Sequence, residues 1–225
     1  MDRMQPFTDP GMVAGYAEGT PRKVPGFADL HRMTMLLLAE YAPETADILV
    51  FGAGGGLELK AFAEAQPGWR FIGVDPSAEM IDLARHVLGS LQARVDLEQG
   101  LIDSASDGPF DGATCLLTLH FLAKDERLHA LREIRGRLKP GASLVVAHHS
   151  FPCGGDASAW LARSAAFASG SNADFAQARI SGAKMAELLP LLSTDEDEAV
   201  LREAGFSDVA LFYAGFSFRG WVSRA

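Results

Sequence analysis

A glycine cluster and one aspartate are the residues whose types and spacing best fit ligand chemistry. The cluster comprises Gly52, Gly54, Gly55 and Gly56. It follows the apolar run 47–51 (DILVF), and glycines between a strand and a helix let a ligand approach the backbone and the free amides of the helix N-terminus. Asp75 comes 23 residues after Gly52. At the end of the next strand, its carboxylate can accept hydrogen bonds from both hydroxyls of a ribose.

This arrangement predicts an adenosine-containing cofactor, although two alternatives stay open. Glycine turns between strands and helices also serve packing, and Asp75 could simply start the turn into Pro76. A dinucleotide is disfavoured because Leu57 stands where the GxGxxG fingerprint requires its third glycine. Residues 151–225 are also short for the second half-sheet or substrate domain that dinucleotide enzymes usually need.

Three histidines are the remaining candidates for chemistry. His120 follows the predicted fourth strand, where it could act as a base or orient a nucleophile, or could serve packing alone. His148 and His149 end the fifth strand on alternate faces, so at most one of them points into a cleft. Cys115 is expected to be a buried small hydrophobe, and Cys153 with the histidines offers no metal-site geometry, so we expect no metal.

Strands and helices alternate from residue 28 onward, which predicts a parallel sheet covered on both faces. Residues 1–26 are expected to form an arm with one helical turn near 13–17, followed by a single domain over 27–225. Leu30, Met33, Leu37, Leu38 and Tyr41 are predicted to lie on one side of the first long helix, which should stop before Pro43. The predicted strands are 47–51, 70–74, 94–99, 111–119 and 142–148, and then the hairpin 207–213 and 216–222 around Ala214-Gly215.

An Ala-rich helical pattern covers residues 156–190, so an insertion or lid of about 151–193 is expected after the fifth strand. The acidic run 195–198 is predicted to be the solvated N-terminus of a helix, where negative charge is favourable. Aromatic residues around the insertion would suit an apolar or aromatic small molecule, but they could equally form the core of the lid itself.

Composition limits the partners. The 225 residues carry a net charge of −9 and are 48% hydrophobic, which disfavours disorder and opposes nonspecific attraction to nucleic acid or an anionic membrane. We expect no membrane segment and no direct nucleic-acid partner. Two cysteines 38 positions apart and an N-terminus without a signal-peptide pattern lead us to expect a cytoplasmic protein.

Further segments, taken in order, resemble the class I S-adenosylmethionine-dependent methyltransferases. They are the glycine loop, the acidic residue after strand two, Phe110-Asp111, Leu138-Lys-Pro-Gly141 and Ala204-Gly205-Phe206. The resemblance implies S-adenosyl-L-methionine as cofactor and a Rossmann-like seven-stranded sheet of order 3-2-1-4-5-7-6, with strand seven antiparallel. The cofactor-binding residues that it implies are Phe27, Gly52, Ala53, Gly54, Asp75, Pro76, Met80, Leu101, Ile102 and Leu116.

Within that superfamily the sequence is most similar to the carboxy-S-adenosylmethionine synthase group, which acts in tRNA wobble-uridine modification. The matching stretches are 24–27 (VPGF), 118–122 (TLHFL) and 194–206. By this resemblance Phe27 stands where the group has a cofactor-contacting tyrosine, and Leu101-Ile102 runs beside the adenine.

Three departures separate the sequence from these patterns. Val200 stands where the group has its carboxylate-binding arginine, and Leu116 stands where it has an asparagine. An uncompensated buried carboxylate is costly, so ordinary methyl transfer is favoured over carboxymethyl chemistry. Val50 replaces the acidic residue that commonly precedes the glycine loop, so the cofactor ammonium must meet backbone carbonyls, Glu58 or water.

The sequence therefore predicts methyl transfer from S-adenosylmethionine to an unidentified, small-molecule acceptor, with His120 and His149 as candidate catalytic residues. Two alternatives remain. One is a carboxy-S-adenosylmethionine synthase-like enzyme, and the other is a non-catalytic cofactor-binding subunit. The oligomeric state, including a homodimer, stays open.

Overall fold

The computed structural model describes residues 5–225, in which helices and strands alternate along most of the chain. The helices are α1 (Gln5–Thr8), α2 (Pro10–Ala14), α3 (Tyr16–Lys23), α4 (Phe27–Ala39), α5 (Leu57–Ala65), α6 (Ala78–Leu88), α7 (Lys124–Gly136), α8 (Ala157–Ala168), α9 (Phe175–Leu188) and α10 (Thr194–Glu203). The strands are β1 (Asp47–Phe51), β2 (Arg70–Asp75), β3 (Val95–Gln99), β4 (Phe110–Leu116), β5 (Leu138–His149), β6 (Ser207–Gly215) and β7 (Phe218–Arg224).

The strands form one sheet of order β3-β2-β1-β4-β5-β7-β6. β1 to β5 pair in parallel, and β7 runs antiparallel to both β5 and β6. The predicted fold class and strand order are therefore confirmed. Because the parallel strands share one direction, the glycine loop, Asp75, the residues after β4 and His149 meet at a single edge of the sheet.

Both faces of the sheet carry a core. In β1, Leu49 and Phe51 face one apolar cluster, whereas Ile48 and Val50 face the other, as the two-residue period of a strand requires. α6 begins as expected at its cap, where Ser77 Oγ accepts the Met80 N–H at 3.1 Å.

The N-terminal residues differ from the predicted arm with a single helical turn. They form α1, α2 and α3, because proline and glycine here start and separate short helices instead of preventing them. Asp9 caps α2 by accepting two backbone N–H groups. Ser77 Oγ donates to the Phe7 carbonyl at 2.5 Å, which fixes α1 to the loop after β2. These helices therefore lie at the edge of the sheet that the sequence assigns to the cofactor.

Two other sequence predictions are wrong. Tyr41 lies beyond the end of α4 at Ala39 instead of on one side of that helix; it is 62% exposed, and the Arg224 guanidinium lies 3.0 Å from its ring centroid. The hairpin turns at Phe216 and Ser217, two residues after the predicted position, and Phe216 adopts φ 52° there. The helical insertion after the fifth strand is confirmed as α8 and α9, which pack against each other.

The acidic run 195–198 is not entirely solvated, because Asp197 is buried in an ion pair with Arg127 of α7. His148 Nε2 lies 3.1 Å from the same Asp197 Oδ1 atom, so α7, β5 and α10 meet at one carboxylate. Burial lowers the pKa of His148 despite this neighbour. Amphipathic periodicity alone did not reveal that one member of an acidic run turns inward to a buried arginine.

We predict that Asp197→Ala lowers the free energy of unfolding by about 3–5 kcal/mol, because it leaves the Arg127 charge buried without a partner. Urea denaturation monitored by circular dichroism measures the change. Asp195→Ala is the matched control, since Asp195 is exposed on the same helix and its loss should cost less than about 0.5 kcal/mol. Equal effects of the two substitutions would contradict a structural role for the buried pair.

Candidate functional site

Asp75 joins the loops that follow β1 and β2. Its Oδ2 accepts the Gly54 N–H and its Oδ1 accepts the Ser77 N–H, both at 2.9 Å. Asp75 is only 8% exposed, and burial raises its pKa while the two backbone hydrogen bonds oppose that shift. A carboxylate has about four lone-pair positions, so each oxygen keeps one for a further donor.

The glycines of the loop serve different purposes. A Cβ atom on Gly52 would lie 2.7 Å from Thr118 Cβ, and one on Gly56 would lie 2.9 Å from Ala84 Cα, so both allow close packing. At Gly54, φ is 49°, and the nearest atoms to an added Cβ are Tyr16 Oη at 3.4 Å and Met80 Cε at 3.5 Å. The packing interpretation therefore accounts for part of the cluster, and at Gly54 an added Cβ would make only ordinary van der Waals contacts.

Three neighbouring cavities open at this edge. The largest, of about 700 Å³, lies between the N-terminal helices, α8, α9 and the ends of β4 and β5. A second cavity of about 120 Å³ lies above Gly54 and Asp75, and a third of about 20 Å³ lies beside Glu58 and the glycine loop. Tyr16 and Leu117 line all three cavities, so the three form one region divided by these side chains.

The structure brings together nine of the ten sequence-predicted cofactor residues around the two smaller cavities. They are Phe27, Gly52, Ala53, Gly54, Asp75, Pro76, Met80, Leu101 and Leu116. The tenth, Ile102, is 2% exposed and packs in the apolar core beneath the edge.

Several residues of the region were missed by sequence reasoning. Phe7 lies in α1, which the sequence did not reveal, and Tyr16 begins α3, where the sequence indicated only one turn near 13–17. Their ring centroids lie 6.4 Å apart over the cleft. Leu117 adopts φ 59°, a conformation that is strained for a leucine, and its N–H donates to the Ala147 carbonyl. The order of side chains along the sequence carries no signal for such a backbone conformation.

Glu58 is the buried acidic group closest in sequence to the glycine loop. Its Oε1 accepts the Thr114 hydroxyl at 2.5 Å, and it lines the smallest cavity while being 7% exposed. Burial raises its pKa to about 8, a shift that the Thr114 hydrogen bond reduces. Thr114 pairs with Val50 in the sheet, so Glu58 reaches from α5 toward the strand position that lacks an acidic residue.

The candidate catalytic histidines both line the largest cavity. His120 and His149 are 4% and 7% exposed, and their ring centroids lie 4.7 Å apart. The His149 backbone N–H donates to His120 Nδ1 at 3.5 Å. Burial lowers the pKa of His149 to about 3 and that of His120 well below its usual value, so both rings are neutral near pH 7. His148 faces Asp197 on the opposite side, which confirms that only one of the adjacent histidines reaches the cleft.

Comparison with known proteins identifies the domain. A family model described as a methyltransferase domain matches residues 49–144. Carboxy-S-adenosyl-L-methionine synthase from Chromohalobacter salexigens is 26% identical over 230 residues, covering 99% of this chain and 85% of that protein. The chain carries a class I S-adenosylmethionine-dependent methyltransferase domain.

Other similar proteins are covered over a smaller part of their length. The synthase of the same name from Campylobacter lari is 25% identical over 138 residues, which are 61% of this chain and 59% of that protein. Human N-acetylserotonin methyltransferase, solved with S-adenosylmethionine, shares the fold at a TM-score of 0.65 and 15% identity, over 98% of this chain and 58% of that one. The chain therefore spans somewhat more than half the length of these two proteins.

The hydrogen-bond acceptors of the methyltransferase domain fit an adenosyl cofactor. Asp75 has lone pairs left for hydroxyl donors, and Glu58 is a buried carboxylate that faces the glycine loop. The two smaller cavities together fall well below the roughly 300 Å³ at which small-molecule pockets begin. A whole cofactor therefore needs more space than these two cavities provide, and Tyr16 and Phe7 are among the side chains that bound the larger of them.

The described residues 5–225 contain no group of three or more histidine, cysteine, aspartate or glutamate side chains arranged to hold a metal ion. They also contain no helix that combines the length and apolar character needed to cross a bilayer. Cys115 is fully buried, as predicted, and Cys153 is exposed.

We predict that Asp75→Ala lowers the free energy of unfolding of the methyltransferase domain by about 1–3 kcal/mol, since the buried Gly54 and Ser77 N–H groups lose their acceptor. Denaturant unfolding in the absence of ligand measures this. Asp82→Ala is the control, because Asp82 is exposed and pairs only with Arg85 on the surface. Wild-type stability of Asp75→Ala would show that the carboxylate does not hold the two loops together.

Proposed function

We propose that the protein transfers a methyl group from S-adenosylmethionine to a small, largely apolar acceptor. The observation that carries this proposal is the position of the cavity of about 700 Å³. It shares Phe7, Tyr16, Leu117 and Phe121 with the cavity above Gly54 and Asp75. A molecule in the large cavity thus lies next to one bound at the glycine loop.

The lining of the large cavity supports the kind of acceptor. Apolar side chains predominate, and Lys23 is the only lysine or arginine among the described residues that line it. Its volume falls within the range of small-molecule pockets. Human N-acetylserotonin methyltransferase, which shares the fold, is named for a small molecule, which is consistent with this class.

The residues at this edge of the sheet would each contact a different part of the cofactor. Asp75 would accept the ribose hydroxyls, Gly54 lets the ligand approach the backbone, and Met80 and Leu101 supply apolar surface. Glu58 would meet the ammonium group in place of the acidic residue missing at Val50. When bound, S-adenosylmethionine supplies an electrophilic methyl group on a sulfonium sulfur. Orientation of two reactants in adjoining cavities can lower a barrier by about 7–11 kcal/mol.

Carboxymethyl chemistry is less well supported. Val200 is 1% exposed in the core between α7 and α10, and it lines none of the three cavities. Arg202 pairs with Glu198 on the surface. An extra carboxylate on the cofactor would find Lys23 as the one lysine or arginine that lines the described cavities. The sequence similarity to the synthases nevertheless makes this chemistry the alternative to test.

Binding and turnover together test the proposal. By calorimetry, we expect S-adenosylmethionine and S-adenosylhomocysteine to bind, NAD not to bind, and carboxy-S-adenosylmethionine to bind more weakly than S-adenosylmethionine. Transfer of labelled methyl groups to a panel of small phenols, thiols and amines then tests catalysis. A preference for the carboxylated ligand would favour the synthase-like alternative, and binding without any transfer would favour a non-catalytic subunit.

We predict that Glu58→Gln weakens binding of S-adenosylhomocysteine about 10- to 100-fold near pH 8, the loss expected for a hydrogen bond to a charged group. The ammonium requires ionised Glu58, whose pKa is raised to about 8. Wild-type affinity should therefore rise as the pH rises through about 8, and then fall at higher pH as the ligand amine loses its proton. Glu58→Gln should lack the rising limb.

Two controls isolate the ammonium contact in these titrations. 5′-Methylthioadenosine lacks the amino acid group, so Glu58→Gln should leave its affinity within about twofold of wild type. Glu64→Gln changes an exposed residue of the same helix and should leave both ligands unaffected. If Glu58→Gln weakened both ligands equally, Glu58 would shape the loop without contacting the ammonium.

A further inference from the structure

Two serines connect His149 to a second point on the wall of the large cavity. His149 Nδ1 lies 2.8 Å from Ser217 Oγ, and Ser217 Oγ lies 2.6 Å from Ser164 Oγ. The Ser217 backbone N–H also donates to Ser164 Oγ at 3.2 Å. All three residues are buried, and His149 and Ser164 line the cavity whereas Ser217 does not. The chain of hydrogen bonds thus begins and ends at the cavity.

Three separate elements bring these side chains together. His149 ends β5, Ser217 lies in the turn between β6 and β7, and Ser164 comes from α8 of the insertion. His149 stacks on Phe218 with ring centroids 4.0 Å apart, which fixes the plane of its ring. Among the described residues, none forms a hydrogen bond with His149 Nε2, so this nitrogen is left for the cavity.

The chain can run in either of two directions. In one, His149 Nδ1–H donates to Ser217 and Ser217 donates to Ser164, which leaves the Nε2 lone pair free. In the other, Ser164 donates to Ser217 and Ser217 donates to Nδ1, so the ring proton lies on Nε2. In both states each hydrogen bond within the chain has a donor and an acceptor. The states differ in the cavity-facing atom that carries the remaining proton, which is Ser164 Oγ in the first state and His149 Nε2 in the second.

The groups on the cavity wall do not favour a positively charged His149, which is why exchange between the two states matters. Burial opposes a charged His149, and His148 behind it opposes one further. The other titratable groups on the cavity wall are His120, Tyr16 and Lys23, and no carboxylate is among the described lining residues. A proton that arrives at His149 is therefore poorly held as an imidazolium and must be passed on.

We propose that His149, Ser217 and Ser164 form a neutral proton relay that deprotonates the methyl acceptor, an inference that rests on the proposed methyl transfer. His149 Nε2 takes the proton of an acceptor hydroxyl, thiol or amine, while Nδ1 passes its own to Ser217 Oγ. Ser217 passes its hydroxyl proton to Ser164, and Ser164 releases one to water in the cavity. The acceptor atom keeps the electron pair of the broken bond and uses it to bond the methyl group.

Nitrogen-15 NMR of the histidine rings in the free protein tests the relay independently of activity. We expect the Nδ1–H form of His149 to be populated in the wild type and lost in Ser217→Ala, where Nδ1 has no partner. Ser150→Ala is the matched control, because Ser150 is an equally buried serine whose hydroxyl donates to Leu192. A wild-type ring fixed as Nε2–H would overturn the relay, since Nε2 could then accept no proton.

Kinetics with an acceptor from the labelled-methyl panel provide the second readout. Ser217→Ala and Ser164→Ala should each lower kcat tenfold or more at unchanged KM, a part of the 10²–10⁴-fold that acid–base catalysis supplies. The double variant should be no slower than the worse single one, and Ser217→Thr should recover activity. The relay would be overturned if the losses in kcat of the two single variants multiplied in the double variant. It would also be overturned if the pH profile of kcat showed a limb with a pKa of 6–8. Failure of S-adenosylhomocysteine to bind in calorimetry would instead refute the proposed function.

Discussion

The carboxylate of Asp75 is the constraint on which the site depends. One oxygen fixes Gly54 in the loop after β1 and the other fixes Ser77 at the start of α6. Ser77 in turn holds the Phe7 carbonyl, so the same buried group positions the glycine loop, a helix N-terminus and the N-terminal helices. A buried carboxylate without hydrogen-bond partners is costly, and these backbone contacts reduce that cost. They also fix the two loops and leave lone pairs on the carboxylate for further donors.

The two faces of the sheet separate stability from chemistry. On one face, Arg127, Asp197 and His148 form a buried polar group in the apolar core and line none of the three cavities at the edge of the sheet. On the other, His149 and Glu58 are equally buried but border open space. The adjacent histidines of β5 illustrate this difference. His148 faces the buried ion pair and His149 faces the cavity, because successive side chains of a strand point to opposite faces of the sheet.

The parts of the structure that follow from local pattern were predictable from the sequence. Apolar runs and glycine breaks predicted the strands, the resemblance to methyltransferases implied their order in the sheet, and loop spacing predicted the neighbourhood of Gly54 and Asp75. The positions of Tyr16 and Asp197 were not predictable, because they depend on which distant element lies opposite. The partners of His149 were missed for the same reason, as Ser217 and Ser164 approach from elements far along the chain.

The N-terminal helices bear on the release of the cofactor. Tyr16 lines the two cavities at the glycine loop and also borders the large one, so α3 forms part of the wall of all three. We expect the release of a spent cofactor to require these helices to open, and motions of this kind take microseconds to milliseconds. We expect this opening to set the residence time of the thioether product, so the turnover number reports on the docking of α1 to Ser77 as much as on methyl transfer.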